Sequence, residues 1–237
     1  MVKATKGFEN ISMTYSETET DGYVFKWLYA RVIEWAKENL RSFPWRNTSD
    51  PYKIFLAETL LKRTTATAAV RIYNDLINKY PDISTLASAS VKDLNYLLRP
   101  LGLYKQRSEL LIKSARYIVE KMGGKFPYNI DDLVKVPGIG LYTASAISSF
   151  AFRKPVPTVD SNVIRVLRRF LDKPSLNVKI AMNLLSSVIE EKNGSEFNLG
   201  IIDLGGTICK PTNPNCNFCP IREKCSFYLN NINKNVI

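Results

Sequence analysis

All four cysteines of this 237-residue chain, Cys209, Cys216, Cys219 and Cys225, fall within its last 29 positions, in the spacing C-x6-C-x2-C-x5-C. Thiols gathered so closely need a common partner or each other. Four thiolates in one short loop surround a cubane iron–sulfur cluster or a single tetrahedral zinc. Zinc loops usually supply two close pairs, and here only Cys216 and Cys219 form one. Pro211, Pro214 and Pro220 suit a loop wrapped around a compact object, and Lys210, Arg222 and Lys224 give it positive charge. Two disulfides would require an oxidising compartment. The stretch Met1 to Gly22 is polar and lacks the apolar core of a secretory signal. The expectation is therefore an intracellular chain holding a [4Fe–4S] cluster, with zinc as the alternative.

Charge narrows the partner. Lys and Arg number 33 against 22 Asp and Glu, a formal net charge of +11. Such an excess favours a polyanion, because each neutralised phosphate releases condensed counterions. No apolar run is long enough to span a membrane. The chain contains no histidine, which excludes His-ligated zinc enzymes, Ser-His-Asp triads and Cys-His nucleophile pairs. Any chemistry must use carboxylates, lysines, tyrosines, hydroxyls or a cofactor.

Apolar residues recur at helical spacing nearly throughout, without period-two alternation, so the fold class is all-α. Val24, Leu28, Val32 and Trp35 mark a first helix ending near Leu40. Asp50-Pro51 reads as an N-cap followed by proline at the first helical position. Further helices are expected over 66–80, 83–89, 91–98 and 105–122, the last closed by Gly123-Gly124. Others are expected over 130–135, 142–150, 161–171, 178–192 and 197–209.

The segment Leu133 to Ser145 places Val-Pro-Gly-Ile-Gly between two of these helices. Gly138 and Gly140 are expected to adopt positive φ and bare their amides, with Ile139 folded back between the helices. Unpaired N–H groups at the start of the second helix favour an anion such as a DNA phosphate. A glycine-rich turn with no ligand is the plainer alternative.

This hairpin, the following Thr158-Val159-Asp160-Ser161-Asn162 and the cysteine loop together resemble the endonuclease III family of helix-hairpin-helix DNA glycosylases. The resemblance covers roughly Arg41 to Tyr228. It implies two helical domains with a DNA-binding cleft between them. A six-helix barrel with the hairpin would occupy 44–154, and a discontinuous [4Fe–4S] domain 23–43 plus 155–237, after a flexible lead-in over 1–22. It also implies a monomer acting on double-stranded DNA in the nucleoid, with a cluster that shapes a DNA-contacting loop and performs no excision.

By the same resemblance Asp160 is the catalytic carboxylate, which would stabilise positive charge on the sugar or orient the attacking water. The lysine nucleophile of bifunctional members aligns with Tyr142, and a phenol forms no imine, so a monofunctional enzyme is implied. Only 12 residues follow Cys225, so the 8-oxoguanine-reading domain of mismatch adenine glycosylases is not expected. The segments Phe43 to Arg46, Asp50 to Tyr52, Glu58 to Thr65 and Glu196 to Gly200 are similar to the archaeal-type thymine-DNA mismatch branch. Thymine or uracil opposite guanine is thus the expected substrate, since a mispaired base costs less to flip out. Glu58 would hydrogen-bond or protonate the flipped base, and Tyr142 would line its pocket. Arg63 would fill the vacated space, Leu199 would touch the estranged guanine, and Leu103 and Tyr104 are further wedge candidates. An adenine glycosylase, a bifunctional glycosylase/lyase and a non-catalytic DNA-binding module remain the competing readings.

Overall fold

A computed structural model describes residues 19–234, so the expected lead-in lies almost wholly outside the described residues. Twelve α-helices and no strand occur among them. They are α1 (Glu19–Asn39), α2 (Pro51–Leu61), α3 (Ala66–Lys79), α4 (Ile83–Ala87), α5 (Val91–Leu98) and α6 (Tyr104–Met122). There follow α7 (Ile130–Leu133), α8 (Leu141–Phe150), α9 (Ser161–Leu171), α10 (Val178–Ser186), α11 (Gly194–Thr207) and α12 (Ser226–Lys234). The all-α architecture is the one the periodicity implied.

Local chemistry explains where these helices begin and end. Asp50 caps α2, its Oδ1 accepting from the Tyr52 amide at 2.9 Å, with Pro51 at the first helical position. Gly123 closes α6 in the left-handed conformation, φ +62°. Several expected helices end early, α4 at Ala87 instead of Ala89 among them. Helix α10 stops at Ser186 instead of Lys192, where Ser186 and Ser187 hydroxyls bond back to the carbonyls of Met182 and Leu184 and compete with the helical ladder. Helix α7 stops at Leu133 instead of Lys135, because Pro137 disfavours helical backbone just before it. Helix α12, which follows the last cysteine, had no anticipated counterpart.

Two apolar cores result. Helices α2 to α8 enclose one, centred on residues such as Leu56, Leu76, Leu111 and Ile147. The other joins α1 to the C-terminal helices through Leu28, Val32, Phe170, Phe197 and Leu204. Helix α1 lies against α11, where Gly200 permits the approach: a Cβ there would sit 2.9 Å from Val32 Cγ1. The cores meet along α8 and α11. Ser195 Oγ donates to the Ser149 carbonyl, and the wholly buried Asn198 donates to Ser149 Oγ and the Val156 carbonyl.

Candidate active site

Between the two cores lies a cavity of about 540 Å³, within the size range of small-molecule sites. Glu58, Tyr142, Asp160 and Leu199 all line it. Four positions singled out separately in the sequence therefore share one chamber. Tyr142 and Asp160 also border a second groove, where Arg165, Arg168 and Arg169 of α9 form a basic wall. The two residues thus stand where cavity and groove join.

Glu58 comes from the buried middle of α2 and is 7% exposed. Burial pushes its carboxyl up to about 7, and Asp160 adds repulsion. A hydrogen bond from Tyr142, with the charges of Lys62 and Arg46, opposes the shift without cancelling it. Tyr142 lies in the first turn of α8, and burial followed by Glu58 raises its phenol well above the usual range. At neutral pH this corner therefore holds a neutral phenol and a carboxyl balanced between its two forms.

Asp160 caps α9. Its Oδ1 accepts from the Val163 amide at 2.8 Å, and its Oδ2 accepts from Asn162 Nδ2 at 2.9 Å. The capping and chemical readings are therefore compatible, since capping fixes where the carboxylate points. Asn198, which the sequence did not single out, sets the approach to it. The Thr158 amide donates to Asn198 Oδ1 at 3.0 Å while the Asn198 amide group holds Val156. Its signal is a polar residue inside the apolar stretch Phe197 to Leu199.

The hairpin departs from expectation in one respect. Gly138 has φ +84° and lies tight under Leu110, where a Cβ would meet the side chain at 2.5 Å. Gly140 does not have positive φ; at φ −85°, ψ 176° it is the extended N-cap of α8. An N-cap residue is normally extended, because the helix begins after it. Its surroundings are open, with nothing within 4 Å of an added Cβ. Ile139 is buried between the helices. The amides at the start of α8 have no side-chain cap.

Arg63 and Leu103 lie outside the cavity. Both are exposed non-glycine residues on left-handed backbone, at φ 55° and 49°, a conformation that costs energy and clusters at functional sites. Both turns converge on buried Arg107, another residue sequence reasoning missed. Its guanidinium donates to the carbonyls of Thr59 and Lys62, to Thr64 Oγ1 and to the Gly102 carbonyl. It thereby satisfies the open end of α2 and ties the two turns together. Tyr104 is half-buried against the first core.

Asp203 is fully buried and bonded to both Arg41 and Arg46, which line the cavity. Burial alone would raise its carboxyl, but the hydrogen bonds from Arg46 and Arg41 outweigh that and hold it below the usual range. Phe43 stacks on Trp45 at 5.1 Å beneath both arginines.

The four cysteines border a single small cavity with Val166, Arg169 and Ile221, and none is disulfide-bonded. No group of three or more Cys, His, Asp or Glu side chains among the described residues is arranged to hold one metal ion. Arg169 approaches Cys209 Sγ at 3.4 Å and secures the loop through the Lys210 and Pro211 carbonyls. Burial pushes the Cys219 thiol up to about 12. No helix among the described residues is long and apolar enough to cross a membrane.

Comparison with known proteins bears on the same region. The model of the HhH-GPD superfamily of base excision DNA repair proteins matches residues 56–191. A thymine-DNA glycosylase from Aeropyrum pernix is 36% identical over 211 residues, covering 86% of this chain and 95% of that protein. An adenine DNA glycosylase from Buchnera aphidicola subsp. Schizaphis graminum is 34% identical over 213 residues, but the match spans only 60% of its length. A solved thermostable thymine-DNA glycosylase superposes with a TM-score of 0.85 at 31% identity, covering 90% of this chain and all of that one.

Proposed function

The chain belongs to the HhH-GPD superfamily of base excision DNA repair proteins, and on that premise we propose a monofunctional glycosylase that removes thymine or uracil mispaired with guanine. The observation that carries this reading is the convergence of Glu58, Tyr142 and Asp160 on one cavity at the start of the hairpin's second helix. Duplex DNA would lie along the α9 groove, with a phosphate at the α8 N-terminus. The mispaired nucleotide would swing past Tyr142 into the cavity. Arg63 and Leu103 would occupy the gap it leaves, and Leu199 would face the estranged guanine. The two cores would act as the two domains that hold the duplex between them, in one intracellular monomer.

Asp160 would stabilise the electron-poor sugar and take a proton from the attacking water. Its two fixed hydrogen bonds preorganise it for that position. Glu58 in its neutral form would donate to a carbonyl oxygen of the base. Tyr142 would line the pocket beside it, and a phenol there supports hydrolysis over imine formation. Cys209, Cys216, Cys219 and Cys225 would hold the [4Fe–4S] cluster, which supplies a rigid core for the basic loop. Arg169 would face a ligand sulfur and offset its negative charge.

The test is a panel of duplexes bearing G·T, G·U and A·8-oxoguanine, followed by alkali to cleave abasic sites. Release of thymine or uracil is expected, with no strand cleavage before alkali. Product from A·8-oxoguanine alone would favour the adenine-specific reading that the Buchnera similarity keeps in view. Binding without release of any base would favour a non-catalytic module. Asp160→Asn should bind mismatched duplex normally and lose at least about 100-fold in excision rate.

A further inference from the structure

Four cations line the cavity: Arg41, Arg46, Lys62 and Arg153. Arg41 and Arg46 share Asp203, and Arg153 faces Glu196 at 3.5 Å. Lys62 is the exception, with no carboxylate within 4 Å among the described residues. Its Nζ donates to the Gly138 carbonyl at 3.1 Å, which leaves two of its three N–H bonds without an acceptor among the described residues. Lys62 stands one helical turn after Glu58, on the same face. A half-neutral Glu58 compensates it poorly. Burial lowers the Lys62 ammonium and Arg107 repels it, with only Glu58 pulling the other way. Lys62 is an exposed residue on the cavity wall, so its charge is available to whatever enters the cavity.

The chemistry of pyrimidine departure calls for such a charge. Adenine has a basic ring nitrogen, N7, that accepts a proton before the base leaves. Thymine and uracil have none of comparable basicity, so the electron pair of the C1′–N1 bond remains on N1 and spreads to O2 and O4. Resting on the pyrimidine reading above, we propose that Lys62 is a catalytic residue whose ammonium donates to a ring carbonyl of the flipped base and stabilises the departing anion. As the C1′–N1 bond breaks, water forms a new bond to C1′ and passes a proton to Asp160. Asp160 returns that proton to solvent, from which the pyrimidine anion is protonated. The products are the free base and the sugar hemiacetal.

The test measures single-turnover excision of uracil and 5-fluorouracil opposite guanine by the full, cluster-loaded protein and its Lys62→Met and Lys62→Arg variants. Fluorine makes N1 more acidic, so 5-fluorouracil leaves as an anion with less help. Lys62→Met should lose about 100-fold on uracil but roughly 10-fold or less on 5-fluorouracil, with Lys62→Arg recovering most of the loss. A residue that only anchors the hairpin through Gly138 would slow both bases equally and weaken duplex binding. That pattern, or no loss at all, overturns the assignment. Lys62→Gln provides the same comparison if Lys62→Met fails to fold. Wild-type protein that releases no uracil would refute the pyrimidine reading itself, whereas equal slowing of both bases by the variant refutes only Lys62.

Discussion

Two buried carboxylates, one lining the cavity and one bonded to arginines that line it, take opposite characters from their neighbours. Asp203 is wholly buried and saturated by two guanidiniums, with Arg41 at 2.5 Å from Oδ1 and Arg46 at 2.5 Å from Oδ2. Glu58 is nearly as buried but has no cation within ion-pair distance among the described residues. The first is held ionised and joins α11 to the chain after α1. The second is raised to about 7 and faces the space a substrate would occupy. Burial by itself does not make a carboxyl structural or chemical. Unmet charge demand is what leaves Glu58 available.

The largest effect should come from breaking the satisfied member. Asp203→Ala would leave two adjacent guanidiniums without their shared counter-ion, one of them on a side chain only 11% exposed. Loss of one partner from a buried pair typically costs about 3–5 kcal/mol, readable as a lower denaturant midpoint. A loss below about 1 kcal/mol would mean that Arg41 and Arg46 find other partners and that the contrast with Glu58 is overstated.

Glu58 should respond to pH where Asp203 does not. Its folded pKa, about 7, lies above the ordinary 4.5, so the native state binds the extra proton. Its contribution to stability is then fully present below pH 4.5, is lost as pH rises through about 7, and amounts to at most about 3 kcal/mol. Glu58→Gln removes that titration. The variant should match or exceed wild-type stability at pH 8 while excising base about 100-fold more slowly. Wild-type excision should itself decline above pH 7, as an ionised Glu58 repels both Asp160 and a departing anion. A variant destabilised equally at pH 5 and pH 8 would mean that Glu58 is simply packed, with no suspended charge.

The same contrast explains what the sequence could and could not disclose. Asp50-Pro51 and the left-handed turn at Gly138 each act through neighbours a few residues away, so their geometry is legible in the sequence. Gly140 was misread because a glycine pair suggests two left-handed residues, whereas the start of α8 needs an extended cap at that position. Glu58, Tyr142 and Asp160 were brought forward by resemblance, and only the folded chain puts them around one cavity. The Asp203 cluster was invisible because its partners lie 162 and 157 positions away. Its one local trace is an acidic residue within the apolar run Ile201 to Leu204. Arg107 left no trace, since its acceptors are mostly backbone carbonyls at the end of α2 and at Gly102, and backbone groups carry no sequence signature.

The smallest effect separates the two arginines that make Asp203 structural. Arg46 places both terminal nitrogens on the two carboxylate oxygens and also donates to the Arg41 carbonyl. Arg41 directs Nε and Nη2 at the single oxygen Oδ1, and its side chain is 36% exposed. Solvent and salt reach Arg41, so its ion pair belongs with partly screened surface pairs. Arg41→Ala should cost about 1 kcal/mol and less at high salt, because its backbone amide still donates to Asp203 Oδ2 at 2.8 Å and Arg46 remains. If Arg41→Ala instead costs as much as Asp203→Ala, one guanidinium is not enough to hold a buried carboxylate here. Asp203 would then sit much nearer to the condition of Glu58 than its two partners suggest.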